Sequence, residues 1–348
     1  LKEILMEIAR SLLRVAIVMA ATELSAAEAK APLPTWPWPG PTPPEQREAM
    51  LKKTFVFRVS PQDSKEMEKL APDKPLVAPL KPRKLLCWGR HWTHMANSFA
   101  EEAVKILGRK TGAFEVLATD DPQVLLPEKL KDFDAIFFNS LHDRCPFLPP
   151  WLNDMPKEEQ AAAQELDQKI KQSILKFVGE DGKGIAAIEG AIAAHQDWKE
   201  WGELMGAFYA GHYTARLAIK VADPAHPLTA CLVGQDYRVM DNAYIPGPPY
   251  SRQKVRVLLT LDLTQTPEPT EDPKSAWLKP SVKNLEESTG RKEYPISWIK
   301  PYRKGRVFYF SEGVQRAPYS SPLFLRYLLA GIQFATGDLA ADTTPSAK

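Results

Sequence analysis

"GKGIAAIEGAIAAH", residues 182–195, decides how this chain is read. Ile185 to Ile188 form a short apolar run that stops at Glu189, and Gly190 and Ala191 follow at once. A run of that length between glycines predicts a buried strand that ends in a sharp turn. Enzymes often place a nucleophile at such a turn, and this chain places a carboxylate there.

Working outward, residues 158–178 repeat apolar positions at helical spacing, with Leu166, Ile170, Ile174 and Phe177 on one face. Further upstream, "KLLCWG" (84–89), "FEVLATD" (114–120) and "FDAIFFNS" (133–140) read as strands. A helix carrying Phe99, Ala103, Ile106 and Leu107 separates the first two. Continuous apolar strands alternating with amphipathic helices predict an α/β fold, a parallel sheet covered by helices on both faces. The second half differs. "ARLAIKVAD" (215–223) and "VRVLLTLD" (255–262) alternate enough to be strands, and "TPEPTEDPKSAWLKP" (266–280) reads as a surface loop. "PISWIKPYRKGRVFYFSEG" (295–313) reads as a hairpin turning at Lys304-Gly305. Ser321 and Pro322 open a last helix that Gly337 closes.

The chain has 348 residues, room for one large or two modest domains. Its 45 basic and 43 acidic residues nearly cancel, so it lacks the electrostatic footprint of a nucleic-acid partner. Residues 1–29 read as a signal peptide: Arg10 and Arg14 precede the apolar Val15 to Ala21, and Ala27-Glu28-Ala29 fits a cleavage site. That apolar stretch is too short to span a bilayer, so no stable membrane insertion is expected after processing. The expected location is periplasmic or secreted, with a mature start near Lys30. Glu3, Glu7 and Glu23 support the alternative, an amphipathic surface helix on a cytoplasmic protein. Residues 30–50 form a Pro-rich linker, since seven prolines crowd "APLPTWPWPGPTPP" (31–44). Residues 51–82 are an N-terminal extension, and 83–348 the main domain. Cys87, Cys145 and Cys231 are odd in number and fit no metal spacing, so no disulfide framework is expected.

In an open parallel sheet, ligands bind beyond the carboxyl ends of the strands. Those ends supply Arg90, His91 and His94 after the first strand, and Asn139, Ser140, His142 and Asp143 after the third. Glu189 follows the fourth. His195, His212, Asp241 and Glu312 fall in later segments that read as loops able to fold over the same cleft. Some of these have plainer readings. His226, before Pro227, reads as a turn cap, and His195 as a solvated loop residue beside Gln196 and Asp197. Trp198 and Trp201 suit helix packing, although an exposed Trp198 face would also suit sugar stacking.

The order of these pieces resembles the ThuA-like family, named after a trehalose-utilisation protein. The matching pieces are "TGAFEVLATDDP", "FDAIFFN", "GKGIAAIEGA", "ELMGAFYAGHYT", "DPAHPLT", "PYSRQKVRVLLTLD", "PISWIKPYRKGRVFYFSEG" and "LAGIQFATGDLAADTTPSAK", across roughly residues 83–348. The resemblance implies a flavodoxin-like, class I glutamine amidotransferase-like sheet and a role in carbohydrate metabolism, with a small-molecule sugar or keto-sugar as partner. It also marks departures. Glu189 stands where relatives usually have His and true amidotransferases have a nucleophilic Cys, so glutamine hydrolysis is excluded. Asn242 stands where relatives commonly have Glu, and Val314 where they often have His. His212 follows "YAG", where relatives usually carry His-Pro, and is the best carried-over polar residue.

Three readings stay open. Glu189, His212 and Glu312 form an acid/base set acting on a sugar, hydrolase- or lyase-like, with His91, His94, Asn139, His142, Asp241 and Trp198 binding it. Alternatively, Glu189 joins His91, His94 or His212 as ligands of a divalent metal. In the third reading, the site has lost its chemistry and only binds a sugar or a partner.

Overall fold

The run "KLLCW" is strand β1 (Lys84–Trp88) of the computed structural model, which describes residues 39–43, 58–90, 97–142, 145–149, 151–266 and 293–346. The signal-peptide reading, His91, His94 and Asp143 lie outside those residues. β1 pairs in parallel with β2 (Glu115–Thr119) on one side and β3 (Ala135–Phe138) on the other. β4 (Gly184–Ile188) follows β3 in parallel, and β9 (Gly305–Phe310) follows β4. The order β2-β1-β3-β4-β9 is flavodoxin-like, with β9 in the fifth place.

Side chains of these strands alternate between two cores. Leu85, Cys87, Ala186, Ile188, Phe308 and Phe310 pack under the helices α2 (Asn97–Thr111) and α5 (Pro322–Thr336). Leu86, Trp88, Ile185, Ala187, Val307 and Tyr309 pack with α3 (Lys157–Gly179) and the short α4 (Lys199–Met205). Both faces are therefore covered, which is why the strands carry no polar alternation. α1 (Pro61–Leu70), in the N-terminal extension, is capped by Ser60 and adds Met67 to the first core.

Beyond β9 the sheet turns antiparallel: β8 (Pro295–Tyr302), β7 (Arg256–Leu261), β5 (Phe208–Val221) and β6 (Arg238–Gly247). The β8–β9 hairpin is as expected, with Arg303 and Lys304 between its strands and Arg303 at a positive φ of 51°. β5 is longer than its sequence signal: only Ile219–Val221 pair with β7, while 208–218 pair with β6. This β5–β6 ribbon carries His212, Asp241 and Asn242, so the expectation of loops there is corrected. Polar side chains interrupt the apolar run of β6, which hid it in the sequence.

None of the three cysteines is in a disulfide. Residues 39–43, inside the expected linker, are docked on the domain: Arg90 donates to Gly40 O at 2.9 Å and Thr42 N to Asp120 Oδ1 at 3.1 Å. Among the described residues, no helix is long and apolar enough to cross a membrane.

Candidate functional site

The register Phe138↔Ala187 puts the ends of β3 and β4 side by side. The residues just beyond them, Ser140 and Glu189, both adopt left-handed backbone, at φ 55° and 52°. Neither is glycine, and such a conformation costs on the order of 1 kcal/mol or more at each position. What it achieves is convergence: Ser140 Oγ donates to Glu189 Oε2. Oε1 of the same carboxylate lies 2.6 Å from His142 Nε2 and accepts from Tyr244 OH at 2.6 Å. Tyr244 OH and His142 Nε2 are themselves 2.7 Å apart. Tyr309 OH donates to the backbone carbonyl of Glu189 at 2.7 Å, which fixes the turn.

Glu189 has no solvent exposure, whereas the His142 side chain keeps 21%. A buried carboxylate is tolerable only with several donors around it, and these side chains supply them. Burial, and then the negative charge of Glu189, push the Tyr244 and Tyr309 hydroxyls well above their ordinary range. Both stay protonated and act as donors. With Glu189 ionised, a proton on Nε2 of His142 satisfies Oε1. Gly190 makes the approach possible, because a Cβ there would sit 2.1 Å from His142 Cδ2 and 2.7 Å from Leu141 O.

His212 sits beside this cluster. Its Nδ1 lies 2.6 Å from Tyr209 OH, and its ring lies against that of Tyr244, with centroids 5.6 Å apart. Burial, followed by the field of Glu189, raises the Tyr209 hydroxyl too, so this pair borders the same charge.

Glu312 and Asp241 turn out to be anchors below the surface, both with no solvent exposure. Tyr237 OH donates to Glu312 Oε2, and Asp241 accepts from Gly313 N at 2.6 Å and Gln315 N at 2.8 Å. Burial raises Asp241 to about 7 against the pull of those N–H groups, with Glu189's charge adding to the rise. Burial, and then Asp241, raise Glu312 well above the carboxylate range. Both carboxylates are therefore spent at least in part on contacts inside the protein, and the expected catalytic role of Glu312 and binding role of Asp241 gain no support from their burial.

Asn139 is buried where its chain presses on Gly89, whose missing Cβ would lie 2.9 Å from Asn139 O. Trp198 stacks on Trp201 at 5.5 Å with Lys171 Nζ 5.6 Å over its ring, which gives it a part in packing. His195 was read as solvated and is buried, with ring centroids 4.5 Å from Phe147 and 5.0 Å from Trp201. His226 is a cap as expected, its Nδ1 accepting from Leu228 N at 3.3 Å.

Among the described residues, no three His, Cys, Asp or Glu side chains converge as metal ligands would. Both Glu189 oxygens already face hydroxyl or imidazole groups, and a metal would have to displace them. His91 and His94, the other ligands in that reading, lie outside the described residues. Sequence reasoning missed Tyr244 and Tyr209. The only signal for them was a tyrosine on each strand of a ribbon whose second strand was not recognised.

This fold, with a polar cluster at the carboxyl edge of its parallel half, defines a flavodoxin-like α/β protein. The ThuA family profile, described as trehalose utilisation, matches residues 84–335, and the chain belongs to that family. Among solved structures, a putative ThuA-like protein from Bacteroides uniformis is similar at 17% identity and a TM-score of 0.51, over 76% of this chain and 93% of that one. A putative ThuA-like protein from Parabacteroides merdae is similar at 14% identity and a TM-score of 0.45, over 77% and 96% of the two chains. A cytoplasmic protein from Salmonella typhimurium is similar at 16% identity and a TM-score of 0.46, over 72% and 98%. No curated protein matches.

Proposed function

We propose that this protein processes a sugar, a glycoside or a keto-sugar, in a cleft at the carboxyl edge of β3 and β4. His142 exchanges the proton and Glu189 is its positioning residue. The observation that carries the reading is the contrast in exposure across one contact: the carboxylate is fully buried while the imidazole it holds reaches solvent. A carboxylate so placed fixes the ring and favours its charged form during proton transfer. The family's description, trehalose utilisation, supports a carbohydrate as the ligand class.

A binding module without turnover is the second reading. Asp241 and Glu312 favour it, because among the described residues these two acid/base candidates are engaged as anchors. Thermal-shift screening against disaccharides and their keto derivatives, followed by product analysis, separates the two. Under the first reading Glu189→Gln lowers kcat and moves the pH profile while KM changes little, and His142→Gln abolishes turnover. Stabilisation by a sugar without any product would favour the binder. Lost stability with turnover and pH profile intact would make Glu189 a structural residue only. Export belongs to the same reading and is supported by Arg10, Arg14 and Ala27-Glu28-Ala29. A mature N-terminus near Lys30, on protein from its native host, is the expected result.

A further inference from the structure

Arg90 and Asp120 lie just beyond the ends of β1 and β2, on the same sheet edge as Ser140 and Glu189. Arg90 Nε lies 4.0 Å from Asp120 Oδ2. Arg90 is buried, and burial lowers its guanidinium to about 10. One acceptor for this buried cation comes from far away in sequence. Gly40 O accepts from Arg90 Nη2 at 2.9 Å, and Thr42 N donates to Asp120 Oδ1 at 3.1 Å. Pro39 O also accepts from Gln123 Nε2 at 3.2 Å.

The segment 39–43 thus presents one acceptor to the arginine and one donor to the carboxylate, from a carbonyl and an amide two residues apart. Neighbouring hydroxyls of a sugar offer the same pair, since each hydroxyl both donates and accepts. The place also suits a ligand: β1 and β3 flank the point where strand order reverses, and Gly89, next to Arg90, abuts Asn139. Proline on either side of Thr42 lowers the entropy lost when the segment docks, which suits a strap that closes and reopens.

We propose that Arg90 and Asp120 form a hydroxyl-binding subsite of the sugar cleft, and that residues 39–43 fill it as an intramolecular stand-in. The ligand class is a neutral polyol with adjacent hydroxyls. A sugar reaching the subsite displaces the strap, so the strap lowers apparent affinity by the fraction of time it is docked. This rests on the sugar reading above, and the test separates the two. Trehalose binding is titrated calorimetrically, with maltose, cellobiose and the keto derivatives alongside, to the full chain, to Thr42→Pro and to a chain lacking only residues 39–43. Thr42→Pro removes the donor to Asp120 and leaves the domain untouched.

The expected result is tighter binding in both variants, by about tenfold in the deletion if the strap is docked roughly nine-tenths of the time. A peptide spanning residues 36–46, added in trans to the deletion variant, should compete with the sugar. Equal affinity in all three proteins would overturn the subsite and leave the sugar reading standing. No binding of these disaccharides or of their keto derivatives to any of the three proteins would overturn both. If the deletion variant does not fold, Thr42→Pro decides alone, and unchanged affinity overturns the proposal.

Discussion

His142 Nε2 lies 2.6 Å from Glu189 Oε1, although 47 positions separate the two residues in the chain. Adjacent strands β3 and β4 bring them together, and Tyr244 from the crossing ribbon closes the triangle. Tyr244→Phe removes one hydroxyl and keeps the buried ring. Leaving Oε1 with one donor fewer should cost about 1–2 kcal/mol of stability. Urea unfolding measures that loss, and sugar turnover should fall with it as His142 loses its fixed orientation. An unchanged unfolding midpoint would show that Tyr244 OH contributes nothing to holding the carboxylate.

Gly190→Ala tests the placement of His142 without altering any polar group. The new Cβ would fall 2.1 Å from His142 Cδ2 and 2.2 Å from its Nε2, so the ring must leave its position beside Glu189. Leu141 O, at 2.7 Å, has to give way as well. Overpacking of this kind costs about 1–3 kcal/mol, which a domain of this size survives. The expected outcome is a folded protein that has lost sugar turnover. A variant with native turnover would show that the ring position seen here is not the working one.

The parallel half of the sheet was legible because its strands are short apolar runs between helices with clear periodicity. Glu189 was legible for the same reason, as a charged residue ending such a run. The ribbon was not. β6 places Asp241 and Asn242 amid apolar neighbours, and β5 begins at Phe208, well before its alternating stretch. Tyr244 and Tyr209 therefore had no assigned position, and the contact of His212 with Tyr209 was not foreseen. Asp241 and Glu312 were read as cleft residues because sequence reveals charge and not depth. His195 was misread for the same reason: a polar residue beside Gln196 and Asp197 suggests solvent, while Phe147, Trp198 and Trp201 enclose it.

Asp241 and His195 make stability depend on pH in opposite directions, so their effects must be separated by comparing variants. Burial raises Asp241 from 3.8 to about 7, so the folded state holds a proton that the unfolded chain releases in between. Its contribution is fully present below pH 3.8 and is lost as pH rises through about 7. Glu312 shifts in the same direction. His195 is held neutral, its pKa well below 6.5 because burial and then Lys171 disfavour the charged ring. It costs stability as pH falls below 6.5, which masks part of the Asp241 effect. Asp241→Asn cannot titrate, and it keeps one carbonyl for the N–H groups of Gly313 and Gln315. Wild type should therefore lose stability relative to this variant as pH rises from about 4 to 7, at about 1.4 kcal/mol per pH unit. Unfolding by urea at several pH values gives the difference directly. A difference that stays constant would mean that Asp241 is already charged in the folded protein, and that an ionised carboxylate anchors the loop at Gly313.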